Sequence, residues 1–92
     1  MVVTLLEFPG LTREQYEAVG ASLPGGAPEG IRYHSCGPVE GGWRIVDVWD
    51  SQAAFDRFVD DTYLPAVRNA GGPEPSRRDV MVAHHAGAVQ RV

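Results

Sequence analysis

Between Trp43 and Trp49 the chain reads WRIVDVW, a run of strong strand formers with one acidic residue at its centre. Side chains alternate across a strand, so Trp43, Ile45, Asp47 and Trp49 share one face while Arg44, Val46 and Val48 share the other. A helix would scatter both sets around its axis, so the run reads as a strand. A second β-prone run, residues 30–37, precedes it, and Pro38-Val39-Glu40-Gly41 carries turn residues between the two. The chain must therefore accommodate a hairpin of residues 30–37 and 42–49.

Register decides which polar groups meet in that hairpin. In its first strand Arg32, His34 and Cys36 share a face. If Cys36 pairs with Trp43, Arg32 falls opposite Asp47 and His34 opposite Ile45. An Arg–Asp pair then sits between two tryptophans and beside a histidine. A slip of one residue would exchange the faces.

The other elements follow from local signals. Residues 2–8, VVTLLEF, are almost continuously apolar, too short for a helix, and read as a strand buried on both faces. Pro9-Gly10 ends it. Thr12 is a good helix N-cap and Gln15 completes a capping box, with Leu11 placed to staple onto Tyr16. Tyr16, Val19, Gly20 and Leu23 form one helical stripe. Pro24-Gly25-Gly26 closes that helix, and Pro28 and Gly30 keep the linker irregular. Asp50 or Ser51 caps a second helix whose apolar stripe is Phe55, Phe58, Val59 and Thr62. Pro65 predicts a break near Tyr63-Leu64 and a short further helix ending at Gly71-Gly72-Pro73. The last strand runs roughly from Arg78 to His85, and AGAVQRV, from about residue 86, is a tail suited to a dimer interface.

The order β-α-β-β-α-β is the ferredoxin-like motif, an α+β fold. Right-handed crossovers give a four-stranded antiparallel sheet in the order 4-1-3-2 with the helices on one face. The opposite face, apolar along the first strand, is then bare in a monomer. A homodimer follows, two sheets packing face to face. Residues 1–92 make a single domain, too short for a large core of its own.

Composition narrows the function. A net charge of −4, with all eight basic residues arginines spread along the chain, argues against nucleic acid. No apolar run has the ~18–20 residues of a membrane span. Met1 leads straight into VVTLLEF without the basic stretch of a signal peptide, and one cysteine forms no internal disulfide, so the expectation is cytoplasmic.

At this point the chain resembles a known family. The N-terminal strand ending E-F-P-G, the helix opening T-x-E-Q-Y, and the pattern H-x-x-G-P-x-x-x-G-W-R-I-V-D-V-W-D-S-x-x-A-F-D-R-F from His34 to Phe58 are similar to small dimeric α+β-barrel proteins of actinobacteria. These resemble the antibiotic-biosynthesis-monooxygenase group. The resemblance implies a dimeric barrel with small molecules bound between helices and sheet. It also implies cofactor-free oxygenase, cyclase or isomerase chemistry on aromatic or polyketide-like metabolites, with haem binding through His34 or His84 as a lesser alternative.

Several residues carry the candidate chemistry. Asp47, inside an apolar strand, is either a general base with a raised pKa or half of an ion pair with Arg32. His34 is either a proton shuttle or a hydrogen-bonded sheet histidine. Trp43 and Trp49 are ligand-pocket walls or core packing, and Tyr16 and Tyr63 add polar tips to helix aromatics. His84-His85 does not chelate one ion, because consecutive strand residues point to opposite faces. His34 and His84 sit on opposite sheet edges, ~14 Å apart, too far to share a metal. Cys36 has no acyl-transfer partners.

Two functions remain open. In one, an enzyme abstracts a proton with His34 or Asp47. Arg32 or a tyrosine steadies the resulting enolate, and Trp43, Trp49, Tyr16, Tyr63 and His84 contact the substrate. In the other, a non-catalytic dimeric binding or accessory protein uses the same residues structurally. An enclosed cavity of roughly 300 Å³ lined by His34 or Asp47 would favour the enzyme.

Overall fold

The computed structural model describes residues 1–89. Its first strand, β1 (Val2–Pro9), shows strict alternation: Val2, Thr4, Leu6 and Phe8 are buried, while Val3, Leu5 and Glu7 are only half-buried. The expectation of burial on both faces is therefore corrected for the single chain. Among the described residues the helices cover one face of the sheet, and Thr4 rather than a larger apolar residue stands on it.

Helix α1 (Arg13–Ser22) starts with the expected capping box, Gln15 N–H donating to Thr12 Oγ1 at 3.1 Å and Thr12 N–H to Gln15 Oε1 at 3.2 Å. Strands β2 (Ile31–Val39) and β3 (Gly42–Trp49) follow, then α2 (Gln52–Phe58), capped by Ser51, whose Oγ accepts from Ala54 N–H at 3.1 Å. The chain does not break at Tyr63-Leu64. A π-helical turn, Val59–Tyr63, runs directly into α3 (Leu64–Asn69), with the Leu64 N–H bonded to the Val59 carbonyl. The wider turn accommodates the proline at the start of α3, where a missing N–H and ring would otherwise disrupt a regular ladder. The last strand, β4 (Arg77–Val82), is shorter than expected, and His84 and His85 lie beyond it.

The sheet order is β2-β3-β1-β4, which is 4-1-3-2 read from the other edge, with every pair antiparallel. The fold is the ferredoxin-like βαββαβ. Val19, Phe55, Val59 and Val67 from the helices join Leu6, Phe8, Ile45 and Trp49 of the sheet in one core. Gly42 has no room for a side chain: a Cβ there would stand 2.3 Å from the Phe8 carbonyl oxygen.

The hairpin register differs from the expectation by two residues. Its turn is Glu40-Gly41 alone, with Gly41 at φ +76°, and Pro38 belongs to the strand, paired with Trp43. Proline is tolerated there because β2 is an edge strand. A two-residue shift keeps the faces but changes the partners: His34 lies opposite Asp47, and Cys36 opposite Ile45. Arg32 is displaced by an irregularity between Ile31 and Tyr33 and bonds Asp50 instead of Asp47.

The face away from the helices carries Val3, Leu5, Val46 and Val48, half-buried, flanked by Tyr33 and Met81, 65% and 58% exposed. Arg44 and Glu7 pair across it at 2.7 Å. Ala86, Gly87 and Ala88 of the tail border a hollow with Met1, Tyr33 and Val48. The end of the expected tail, residues 90–92, lies outside the described residues.

Candidate active site

Because β3 alternates, Asp47 faces the helices among apolar neighbours, and its side chain is only 9% exposed. Directly across the strand pair, His34 Nδ1 lies 2.7 Å from Asp47 Oδ1. The other ring nitrogen, Nε2, is 3.0 Å from the Tyr16 hydroxyl, delivered by the first turn of α1. Tyr16 in turn stacks on Trp43 with ring centroids 4.9 Å apart. Three residues far apart in sequence thus form one hydrogen-bonded chain, Tyr16–His34–Asp47, running from α1 through β2 into β3.

The chemistry of the chain follows from its ends. Burial pushes the Asp47 carboxyl above its ordinary pKa, and the His34 contact pulls it back. Burial also raises the Tyr16 and Tyr63 phenols, so both are protonated donors at neutral pH. With Asp47 ionised, His34 carries its proton on Nδ1, donates it to Asp47, and leaves Nε2 to accept from the Tyr16 hydroxyl. The imidazole is then oriented at both nitrogens.

This chain forms part of the wall of a cavity of about 310 Å³ between helices and sheet. The sheet contributes Leu6, Ile45, Asp47, Trp49 and, from β2, Ile31 and His34. Tyr16, Gly20 and Leu23 come from α1 and its end, and Phe58, Val59 and Tyr63 from α2 and the π-helical turn. Ala27 and Pro28 complete the rim, and a shallower outer groove of about 390 Å³ shares Leu23, Ala27, Pro28 and Phe58 with it. Among the described residues, no lysine or arginine lines the site.

Most of the candidate residues gather here: His34, Asp47, Tyr16, Tyr63 and Trp49 all line the cavity. Trp43 stands behind Tyr16 as a buried support rather than a wall. Arg32 is a correction: its guanidinium bonds Asp50, both exposed, away from Asp47. His84 is another, exposed past the end of β4 and outside the cavity lining. Sequence reasoning missed Gly20, Ala27 and Pro28. The Pro- and Gly-rich connection between α1 and β2 read only as a linker, although its length at a sheet edge was the available signal. Among the described residues, no three His, Cys, Asp or Glu side chains are grouped to hold a metal. No helix among them is long and apolar enough to cross a membrane.

No protein-family model matches this chain, and no curated protein matches it by sequence. Solved structures do. A protein of Deinococcus radiodurans, described provisionally as an antibiotic biosynthesis monooxygenase, superposes with a TM-score of 0.62 at 12% identity, covering 99% of this chain and 100% of that one. A protein of Chloroflexus aurantiacus with the same provisional description gives 0.59 at 16% identity, covering 98% and 100%. The chain has their fold. At such identities the likeness extends to the ferredoxin-like architecture over nearly the whole chain, as the pattern from His34 to Phe58 led us to expect. It carries no activity with it.

Proposed function

We propose that the protein is a small-molecule enzyme, a cofactor-independent monooxygenase, cyclase or isomerase acting on an aromatic or polyketide-like metabolite. The observation that carries this reading is the Tyr16–His34–Asp47 chain on the wall of an apolar cavity. A weakly acidic C–H or O–H of the substrate gives its proton to the Tyr16 oxygen while Tyr16 passes its own to His34 Nε2. The imidazolium so formed is held by ionised Asp47, and the substrate is left as an enolate or phenolate. Arg32 takes no part, so a tyrosine hydroxyl steadies the anion. Reprotonation at another carbon makes an isomerase, and attack on an internal carbonyl a cyclase. In the monooxygenase case the carbanion reduces molecular oxygen: one oxygen atom enters the substrate as a carbonyl and the other leaves as water.

The working unit we propose is a cytoplasmic homodimer joined through the bare sheet face. Two copies would bury Val3, Leu5, Val46 and Val48 against each other and leave each cavity on the helix side.

The test is a screen of phenolic and polyketide-like aromatics for thermal stabilisation, followed by turnover and oxygen-uptake assays on the hits. His34→Ala and Asp47→Asn are expected to lower kcat by roughly 10²–10⁴-fold with binding retained. Unchanged turnover in both variants sinks the catalytic assignment. Stabilisation without any turnover in the parent protein favours the binding-protein reading.

A further inference from the structure

The cavity of about 310 Å³ and the outer groove of about 390 Å³ meet at a neck, since Leu23, Ala27, Pro28 and Phe58 line both. One side of the neck is fixed. The Phe58 ring sits in the aromatic cluster of the core, its centroid 5.6 Å from that of Trp49 and 5.9 Å from that of Tyr63. The other side belongs to the connection between α1 and β2. Its ends are tied: Leu23 N–H donates to the Gly20 carbonyl at 3.3 Å, and Asp50 N–H to the Gly30 carbonyl at 2.8 Å. Between them the chain is loosely held. Among the described residues, the Pro28 carbonyl is the one backbone group of Pro24–Glu29 in a hydrogen bond, accepting from Ile31 N–H at 3.3 Å. A segment with so few bonds opens at low free-energy cost. Ala27-Pro28, the part that reaches the neck, lies between Gly26 at φ +87° and Gly30 at φ +89°. Proline fixes its own φ and restricts the residue before it, so this pair is a stiff plate between two permissive joints.

We propose that Pro24–Glu29 is a flap that gates the cavity, with ligands entering along the outer groove and past the neck that Ala27-Pro28 forms with Phe58. Across the groove from the flap stand Ala54 and Arg57 of α2, and Asp61 and Thr62 of the π-helical turn. Swinging Ala27-Pro28 toward solvent widens the neck without disturbing a strand or a helix. Closed, the flap keeps bulk water from the cavity on this side, where Tyr16, His34 and Asp47 line it. The competing way in is the β2 edge, where the His34 side chain is 47% exposed. The flap regulates the site described above, and it rests on the cavity taking a ligand, though not on any proton transfer.

The test ties the flap to α2. Gly25 and Arg57 are exposed, and both line the outer groove but not the cavity. Gly25→Cys and Arg57→Cys are combined with Cys36→Ser, and the two new thiols are joined by a short bis-maleimide. The probe is N-phenyl-1-naphthylamine, an uncharged dye that brightens in apolar surroundings, followed by stopped-flow fluorescence. Before linking, its rates should match those of the protein carrying Cys36→Ser alone. Linking is expected to slow association and dissociation together by roughly tenfold or more and to leave Kd within about twofold, since a barrier on the path acts in both directions. Gly20 lines the cavity and not the groove, so Gly20→Leu should abolish the dye signal. Unchanged rates after linking overturn the flap alone and put entry at the β2 edge. Absence of dye binding before any linking, or undiminished binding in Gly20→Leu, overturns the flap and the cavity reading together. Unchanged turnover in both His34→Ala and Asp47→Asn, with linking still slowing the dye, removes the catalytic reading and upholds the flap.

Discussion

At the scale of single residues, Asp47 carries the most chemistry for its cost. Its carboxylate is buried beside Ile45 and Trp49 on the helix-facing side of β3, and His34 is the side chain that compensates it. A folded-state pKa above the unfolded value of 3.8 means that the native protein holds the Asp47 proton more tightly than the unfolded chain. Stability from this group is therefore fully present below 3.8 and is lost as pH rises through the raised value. Melting temperature against pH, compared between the parent and Asp47→Asn, should show the parent's relative stability declining over that window. A difference that grows with pH would mean that the carboxylate is stabilised in the fold, and would remove the argument for a strained base. The oddity of Asp47 was legible in WRIVDVW. Its partner was not, because Arg32 and His34 alternate onto the same face and only the hairpin register chooses between them.

At the scale of elements, α1 and the connection after it shape the cavity. Gly20 falls in the last turn of α1, and glycine within a helix weakens it by up to roughly 0.5–1 kcal/mol relative to alanine. A Cβ on it would meet nothing within 4 Å, so packing does not require the glycine. Its place on the cavity wall gives it a use as open volume. Gly20→Leu is expected to keep or raise the melting temperature while abolishing the stabilisation given by ring ligands. Ligand binding as tight as the parent's would show that Gly20 does not bound the site. Gly30 differs: at φ +89°, a Cβ would lie 2.8 Å from the Ala54 Cβ. Gly30→Ala should therefore lose on the order of 1–3 kcal/mol in denaturant unfolding, through backbone strain and overpacking together. A loss below half of that would mean that α2 yields at Ala54. Capping signals made both helix starts readable from Thr12 and Ser51. The π-helical turn was not readable, since Pro65 announces an interruption without saying whether the chain breaks or winds wider.

At the scale of the molecule, the sheet has one covered face and one that is mostly apolar and open. Val3, Leu5, Val46 and Val48 there are half-buried by their own neighbours, and Tyr33 and Met81 extend the surface to both sheet edges. A second copy is the proposed cover. Size-exclusion chromatography with light scattering should report a dimer for the parent and a monomer for Val46→Asp, which puts a charge at the centre of that face. A monomeric parent would end the barrel proposal without touching the cavity. The cavity lies on the opposite side of the sheet, so a folded monomeric variant should still bind ring ligands.

What the sequence determined by itself is the class of fold: alternation in WRIVDVW, two capped amphipathic helices, and the order βαββαβ admit few right-handed topologies. It also marked His34, Asp47 and the aromatic residues as worth attention, because a polar group in an apolar run needs a partner wherever it folds. Which partner was decided only in three dimensions. A turn of two residues in place of four shifted the hairpin by two and set His34 against Asp47, while the irregularity between Ile31 and Tyr33 carried Arg32 to Asp50. Tyr16, eighteen positions from His34 in sequence, reached it only because α1 packs over that edge of the sheet. Local preferences act within a few residues and so survive in sequence. A proton path through two strands and a helix depends on register and packing, which no segment of the chain specifies alone.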